Sequence, residues 1–216
     1  MKNQIASMLA LSVLTLGVIS CKGEKKVETS EAKPVEKVVA SETYKAIAAE
    51  TMVTWDAKKI VGGHQGNIMA SSGTLDVKGN EVVGGNFIID MNSITCTDIK
   101  EEGPNSKLIG HLKAEDFFDV ANHPNGAFQI TSVTPKDGKT VVAGNLTLKG
   151  IKKNIEFPAT ISVNGGKATI KSDSFNIDRT EWNINYHSGK LADAAALGDK
   201  LIKDEVGIVV TVTASK

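Results

Sequence analysis

Cysteine, histidine and aromatic residues are scarce in this chain, and neither sign of charge is in excess. Its 216 residues include two cysteines, four histidines and 5% aromatic side chains, with 25 basic against 25 acidic groups. The balanced charge gives no reason to expect nucleic acid or a strongly charged protein as a partner. Two cysteines exclude a disulfide-rich scaffold, and the length fits one domain with extra segments or two small domains.

The amino-terminal residues 1–20 carry the features of an export signal. A positive residue, Lys2, precedes an apolar run over Ile5–Ile19 that is too short to span a bilayer comfortably. The run ends at Ser20-Cys21, and a small residue before a cysteine at this point resembles a bacterial lipobox. We expect a lipoprotein signal peptide over residues 1–20 and lipid attachment at Cys21, which would anchor the chain to a bacterial membrane, at the outer membrane or the periplasmic face. The alternative is an ordinary secretory signal followed by a chance cysteine.

Residues 21–43 are rich in lysine and glutamate and contain no aromatic side chain. Such a segment buries too little apolar surface to order itself, so we expect a flexible tether that spans roughly 25 Å as a coil. If Cys21 is acylated, Cys96 has no cysteine to pair with, and we expect it to be a buried free thiol.

Residues 44–216 predict a single all-β domain, because apolar and polar residues alternate between glycine turns. Within Asn154–Val163 every odd-numbered residue is apolar, which places that set on one face of a strand. About eight strands with hairpin connections fit an antiparallel meander, closed as a barrel or folded as a sandwich. We expect a β-barrel with room for a cavity, and a filled interior is the alternative. The room would come from small residues on the inward faces, which are Ala70, Ala127, Gly144, Ala159 and Ala168.

The stretch Lys107–Pro124 interrupts this alternation. Asn105 or Ser106 could cap a short helix, and Pro124 ends whatever follows it. Phe117 and Phe118 need apolar neighbours, because exposure of two adjacent phenylalanines is costly. We therefore predict a short helix and loop that cover one end of the barrel.

Chemical roles for the same stretch are weaker hypotheses. Asp119 and His123 are four residues apart and could share a helix face, but a zinc site needs three or four ligands, and His111 lies on another turn. Asp116 and Asp119 do not exclude a pair of catalytic carboxylates, yet surface acids in a short helix are the commoner explanation. No nucleophile motif is present, so we expect neither a metal site nor catalytic residues.

Several short motifs occur in an order that resembles the YceI-like family, exported lipocalin-like barrels that bind isoprenoids or other long-chain lipids. The resemblance covers about Tyr44–Ala214. The chain differs at Trp182-Asn183, where members of the family often have Phe-Gly, and in Gly189–Asp199, which resembles a variable insertion that could line or cover the mouth. The matching motifs are GGHQG at Gly62–Gly66, IDMNSI at Ile89–Ile94, LIGHLKAEDFFDV at Leu108–Val120, His123-Pro124 to Phe128, GNLTLKGI at Gly144–Ile151, and Ile177-Asp178-Arg179 followed by Trp182.

This resemblance implies a single antiparallel barrel of about eight strands with a long internal tunnel for a lipid tail. Strand parity then selects the inward side chains that would contact the ligand, and Phe117, Phe118 and Trp182 would close or narrow the mouth. The other predicted contacts are Trp55, Phe87, Ile89, Met91, Phe128, Ile130, Leu146, Leu148, Ile155, Phe157, Ile161, Phe175 and Ile177.

The leading hypothesis is therefore non-catalytic carriage or storage of a polyisoprenoid, an isoprenoid quinone or a similar amphiphile, with no other cofactor. One alternative is an interaction lipoprotein with a filled barrel, in which an exposed edge could support a homodimer. The other is a lipid-modifying enzyme, which would need polar groups such as His64, His111 and Arg179 to converge at the mouth.

Overall fold

The computed structural model describes residues 26–35, 41–136, 139–191 and 194–216. The predicted signal peptide and Cys21 lie outside these residues. The described part forms eleven strands: β1 Ser30–Glu31, β2 Glu42–Ala46, β3 Met52–Lys59, β4 Gly63–Lys78, β5 Glu81–Asp90, β6 Asn125–Lys136, β7 Lys139–Leu148, β8 Ile151–Asn164, β9 Lys167–Ser172, β10 Phe175–Asp178 and β11 Ile202–Ser215. The α-helices described are α1 Glu102–Lys113 and α2 Ala194–Leu197, and short 3-10 helices cover Ala48–Glu50, Met91–Ser93, Arg179–Trp182 and Gly198–Lys200.

The sheet closes on itself as an antiparallel barrel, which confirms the predicted fold class and excludes the sandwich. Neighbouring strands from β4 through β9 pair in chain order, and α1 lies in the connection between the paired strands β5 and β6. β11 then joins β9 and β10 on one side to β2 and β3 on the other, and both β2 and β3 pair with β4. β2 and β3 together act as one interrupted strand, and so do β9 and β10. The ring is therefore equivalent to eight strands.

The core lies inside this ring, as the two-residue period requires. On β8, Ile155, Phe157 and Ala159 are buried, and on β7 the inward set includes Val142 and Leu146. The stacked rings of Phe157 and Phe175, with centroids 4.6 Å apart, join β8 to β10 across the interior. The predicted parity of β8 is therefore the parity of the structure.

The predicted irregularity near Ser172–Ser174 is a break in the strand. β9 ends at Ser172 and β10 begins at Phe175. Pro158, which cannot donate a backbone hydrogen bond, lies opposite the break, and its carbonyl accepts from the Asp173 N–H. Proline is tolerated here, inside a strand that pairs on both sides, because the partner strand is interrupted.

One end of the barrel carries the cover that the sequence predicts. The short β3–β4 turn and the two long connections β5–β6 and β10–β11 lie at this end, and α1 with the following turns occupies the β5–β6 connection. The helix begins earlier than predicted, since Glu101 is its N-cap residue. Asn105 is not the cap: its side-chain amide donates instead to the carbonyls of Cys96 and Ile99 and fastens the helix to the preceding loop.

Part of the segment predicted as a tether is paired to the outer wall of the barrel. Ser30 and Glu31 pair with Asn154 and Lys153 of β8, and the Val27 N–H donates to the Asn176 carbonyl. Asn145 completes the attachment: its side chain accepts from the Lys33 N–H at 2.9 Å and donates to the Lys33 carbonyl at 2.7 Å. Composition alone indicated coil throughout, because most of these contacts use backbone groups, with burial of Val27 as an apolar addition.

Among the described residues, we find no helix that is long and apolar enough to cross a membrane.

Candidate functional site

The barrel interior contains an inner cavity of about 130 Å³ with almost entirely apolar walls. A single water needs only about 15 Å³ of such space, so the interior is not filled by side chains. The cavity extends from Met52 and Val210 in the lower half of the barrel to Met91 and Ile184 beneath the cover. Its shape and lining fit a hydrocarbon tail that would enter from the covered end.

The structure places most of the predicted contact residues on the walls of this cavity. Their presence there follows from strand parity, whereas their role in binding stays a prediction. The predicted residues that line the inner cavity are Phe87, Ile89, Met91, Phe118, Phe128, Ile130, Leu146, Leu148, Ile155, Phe157, Phe175 and Ile177.

Two predicted contacts lie elsewhere. Trp182 is fully buried in the core and lines neither cavity, and its indole N–H donates to the Leu146 carbonyl at 3.2 Å. This hydrogen bond fastens the segment after β10 to β7. Ile161 is half-buried towards the closed end of the barrel, where it pairs with Ile170 of β9, and it lines neither cavity.

Sequence reasoning missed the contribution of β11. Its even-numbered residues line the inner cavity, and so do several residues of β3, β4, β7 and β9. The alternation was present in this strand, since Glu205, Thr211 and Thr213 stand at odd-numbered positions, but no contact residue was predicted from it. The wall residues of these strands that were not among the predicted ligand contacts are Met52, Val53, Ile68, Ala70, Val142, Ile170, Val206, Ile208, Val210 and Val212.

The small residues did not create the cavity in the way the sequence suggested. A Cβ at Gly144 would lie 2.2 Å from Cζ of Phe128, so this aromatic ring already fills the space above the glycine. Ala127 faces outward, since it precedes the cavity-lining Phe128 and pairs with exposed Ile88. Of the small residues named, Ala70 lies on the cavity wall.

A second, outer cavity of about 330 Å³ lies under the cover at the mouth. It shares part of its wall with the inner cavity, at Ile68, Phe118, Arg179, Ile184 and Val206. The two spaces are therefore adjacent along the barrel. Two further predicted residues, Trp55 and Phe117, line this outer cavity.

Aromatic and imidazole rings build one side of the outer cavity. His111 of α1 lies edge-on to both Phe117 and Tyr186, with centroids 5.2 and 4.6 Å away. His187 stacks on Tyr186 at 3.9 Å. These contacts join α1 to the β10–β11 connection, so the cover is packed on both sides of the mouth.

Arg179 has a structural role between the cavities. Its guanidinium donates to the carbonyls of Ile184 at 2.6 Å, Ile202 at 3.1 Å and Lys203 at 3.2 Å, and it pairs with Asp204 at 3.3 Å. Burial lowers the pKa of Arg179, and the neighbouring Asp204 and Asp178 carboxylates oppose that shift. These bonds hold the β10–β11 connection against the start of β11.

Asp178, next to Arg179, is buried and bound by two lysines. Lys26 from the amino-terminal segment reaches its Oδ2 at 2.9 Å, Lys190 from the β10–β11 connection binds the same oxygen, and the Thr180 hydroxyl donates to Oδ1. Burial raises the pKa of Asp178, but the hydrogen bonds from Lys190, Thr180 and Lys26 outweigh it and hold that pKa well below its usual value. One carboxylate thus joins two segments outside the barrel.

The donor atoms of His64, Cys96 and Asp98 all lie within 4.8 Å of one another. Nitrogen, sulfur and oxygen donors in this number could hold a zinc ion with a fourth position open. In the structure they bind each other: Asp98 Oδ2 lies 2.9 Å from His64 Nδ1, and the Cys96 thiol donates to Oδ1 at 3.2 Å. Burial raises the pKa of Asp98, but donation from the Gln65 N–H, His64 and Cys96 lowers it overall. The trio fixes the loop beside the outer cavity.

The other chemical candidates are only partly brought together. His64, His111 and Arg179 do line the same outer cavity. However, His111 is bound to Asp116 at 2.9 Å, and the donors of Arg179 are used within the fold. Asp119 and His123 are 3.9 Å apart on the surface of the cover.

A family model described as the YceI-like domain matches residues 44–214. A UPF0312 protein of Pectobacterium carotovorum is 29% identical over 117 residues, which make up 48% of this chain and 57% of that protein. A UPF0312 protein of Pseudomonas aeruginosa is 30% identical over 79 residues, or 31% of this chain and 41% of that protein. The chain thus spans about half the length of the curated relatives it matches.

Two solved structures share the fold. Burkholderia cenocepacia BcnA superposes with a TM-score of 0.61 at 22% identity, covering 79% of this chain and 99% of that one. A polyisoprenoid binding domain from Saccharophagus degradans, implicated in plant cell wall breakdown, superposes with a TM-score of 0.59 at 14% identity, covering 80% and 97%.

Proposed function

The chain belongs to the YceI-like family, and on that premise we propose that it binds a long-chain amphiphile inside its barrel without catalysing a reaction. A polyisoprenoid or an isoprenoid quinone has the required chemistry. The hydrocarbon tail occupies the inner cavity and the head group occupies the outer cavity. Binding serves carriage or storage of the amphiphile.

The observation that carries this proposal is the contrast between two adjacent cavities. Apart from two threonines, Ala70 and the shared Arg179, the inner one is bounded by side chains of Val, Ile, Leu, Phe and Met, whereas lysine and histidine side chains enter the walls of the outer one. Each buried methylene of a tail contributes about 0.8 kcal/mol, so a long tail needs few polar contacts for tight binding. The solved domain from Saccharophagus degradans, which has the same fold, is described as polyisoprenoid binding.

Attachment to a membrane is the second part of the proposal. The lipobox-like residues before Cys21 support export and acylation of that cysteine, which would hold the barrel at a bacterial membrane, at the outer membrane or its periplasmic face. A lipid carrier gains from this location because its ligand is stored in the same bilayer.

Calorimetric titration of the full chain, stripped of bound lipid, with geraniol, farnesol and geranylgeraniol tests the proposed tail site. We expect affinity to rise at least about tenfold with each added isoprene unit, because each unit adds buried methylene and methyl groups. Equal affinity for the three alcohols, or no binding of any, would contradict a tail buried in the barrel.

A further inference from the structure

The polar side chains in the wall of the outer cavity are all nitrogen bases or a phenol. Lys59, Lys200 and Arg179 contribute cations, His64, His111 and His187 contribute imidazoles, and Tyr186 contributes a hydroxyl. Within the part of the chain that the structure describes, no aspartate or glutamate lines this cavity. A neutral head group would not require such a one-sided set.

Two of these cations are free to meet a ligand. Neither Lys59 nor Lys200 has an ion-pair or hydrogen-bond partner for its ammonium group among the described residues. Lys59 pairs through its backbone with Ile202, and the Lys200 carbonyl accepts from His187 Nδ1, so each side chain starts from a fixed backbone at the mouth. The carboxylates of Asp98 and Asp116 are bound to His64 and His111, two residues that line this cavity.

We propose that the amphiphile bound by this barrel carries an anionic head group, a phosphate or a carboxylate, which Lys59 and Lys200 recognise at the mouth. This inference rests on the proposed function, since it names the class of ligand for the same site. A tail in the inner cavity brings its head group beside the two ammonium groups. An opposite charge at a few ångströms in a partly solvated mouth is worth roughly tenfold in affinity.

Matched pairs of ligands test the head group separately from the tail. The full chain is titrated with geranylgeranyl phosphate and geranylgeraniol, and with oleate and oleyl alcohol. We expect each anion to bind about tenfold more tightly than its alcohol. A preference for the phosphate alone would assign a phosphate head group, and a preference for oleate alone would assign a carboxylate.

Variants identify the residues responsible. Lys59→Gln combined with Lys200→Gln should reduce the preference for the anion to about twofold or less. Lys45→Gln combined with Lys171→Gln removes the same charge at the closed end of the barrel and should keep the preference. Equal affinity of wild type for anion and alcohol, or a preference unchanged in the mouth variant, overturns the assignment. Failure of all four ligands to bind would overturn the proposed function itself.

A second, independent observation concerns the outside of the mouth. Large apolar side chains are well exposed at Ile60, Val61 and Leu191, with 57%, 69% and 64% of their surface accessible. The first two form the β3–β4 turn, directly after cavity-lining Lys59, and Leu191 follows Lys190 in the β10–β11 connection. We call these three residues the apolar rim.

The amino-terminal segment holds this end of the barrel close to its anchor. Lys26 is paired with Asn176 and bound to Asp178, whose neighbour Arg179 lines both cavities. Four residues lie between Cys21 and Lys26, and the five Cα-to-Cα steps between them span at most roughly 18 Å. An acylated Cys21 therefore cannot carry the barrel far from the bilayer.

We infer that the apolar rim inserts into the lipid surface to which Cys21 is anchored, so that the mouth opens against the bilayer. The occupant is lipid because Lys59 directly precedes Ile60 and lines the mouth together with Lys200, and such basic groups suit an anionic leaflet. This inference rests on the acylated Cys21 of the proposed function. Insertion of the apolar rim does not require a ligand in the barrel.

Depth-dependent quenching tests the rim. The full chain with Ile60→Trp is reconstituted in vesicles of equal parts phosphatidylcholine and phosphatidylglycerol with brominated acyl chains. We expect strong quenching of the new indole, while Ile88→Trp on the outer wall of β5 should match the wild-type signal from buried Trp55 and Trp182. Equal quenching of the two variants, or no association of the chain with vesicles, overturns the inference, and neither result bears on tail binding in the titrations above.

Discussion

The ring of Phe128 lies against Gly144 on the neighbouring strand, so close that a Cβ at position 144 would stand 2.2 Å from Phe128 Cζ. The two residues are not directly paired in the register, where Phe128 faces Leu146, so the ring leans diagonally over the glycine. The absence of a side chain at Gly144 therefore sets where one wall of the inner cavity lies.

Gly144→Ala should displace the Phe128 ring into the inner cavity. We expect binding of geranylgeraniol to weaken by about tenfold, while the shorter geraniol loses less, because the displaced ring takes volume from the tail. Calorimetric titration measures both affinities. The double variant Gly144→Ala with Phe128→Leu should recover binding of the long alcohol, and a failure to recover it would assign the loss to the backbone instead.

Strand parity can be tested with adjacent valines on β7. Val142 is buried and lines the inner cavity, whereas Val141 faces outward and pairs with Pro158. Val142→Phe should fill part of the cavity and lower the affinity for geranylgeraniol by about tenfold or more. Val141→Phe is the matched control and should bind as wild type does. Equal affinities for the two variants would place the tail outside the barrel.

The alternation of inward and outward side chains along each strand was the most reliable information in the sequence. It explains which wall residues were predicted correctly. The inward set of β8 was correct, because polar residues alternate with apolar ones there. β11 shows a similar alternation from Glu205 to Thr213, yet no contact residue was predicted from it, although its apolar set lines the inner cavity.

The cover was predicted as an element but not in its details. The α1 helix begins at Glu102 because the side chain of Asn105 is used to bind the preceding loop, a tertiary contact that local capping preferences cannot reveal. Trp182 was placed at the mouth by its position in a motif, and in the structure it is fully buried, with its indole N–H bound to the carbonyl of Leu146, 36 residues away. Long-range contacts of this kind are absent from any short sequence pattern.

Arg179→Met should destabilise the fold more than it affects the cavity. The substitution removes the donors to three backbone carbonyls and leaves the buried Asp204 without its partner, which we expect to cost about 3–5 kcal/mol of unfolding free energy. Urea denaturation measures the change. Lys203→Met alters an exposed side chain on the adjacent strand and should remain within about 0.5 kcal/mol of wild type. A small change in the unfolding free energy of Arg179→Met would show that water replaces the guanidinium.

The Asp178 carboxylate should make stability depend on acidic pH. Its folded-state pKa lies below the unfolded value of about 3.9, so it stabilises the fold above that value and loses this contribution as the pH falls further. Between pH 4 and pH 2, the unfolding free energy of wild type should fall more steeply than that of Asp178→Asn, by up to about 1.4 kcal/mol per pH unit. Asp116→Asn, at an exposed carboxylate, should keep the wild-type slope. Identical slopes for wild type and Asp178→Asn would contradict the ionised, lysine-bound state.

The amino-terminal segment should detach when Asn145 is truncated. Asn145→Ala removes both hydrogen bonds to Lys33, so we expect residues 26–35 to exchange their amide hydrogens at least about tenfold faster while the barrel strands keep their protection. Hydrogen exchange with mass spectrometry resolves the two regions. Thr147→Ala, on the same face of β7, is the control, and equal protection of the segment in all three proteins would show that its contacts to Asn176 and Asp178 suffice.

The most direct test of a ligand inside the barrel is the identity of what the native protein already holds. The full chain is purified from its membrane in mild detergent, its bound lipids are extracted into organic solvent, and the lipids are identified and counted against protein by mass spectrometry. We predict one long-chain amphiphile in about a one-to-one ratio, depleted in the Val142→Phe variant and retained in Val141→Phe. A protein that carries no such lipid, and that binds none of the added isoprenoids, would contradict the account.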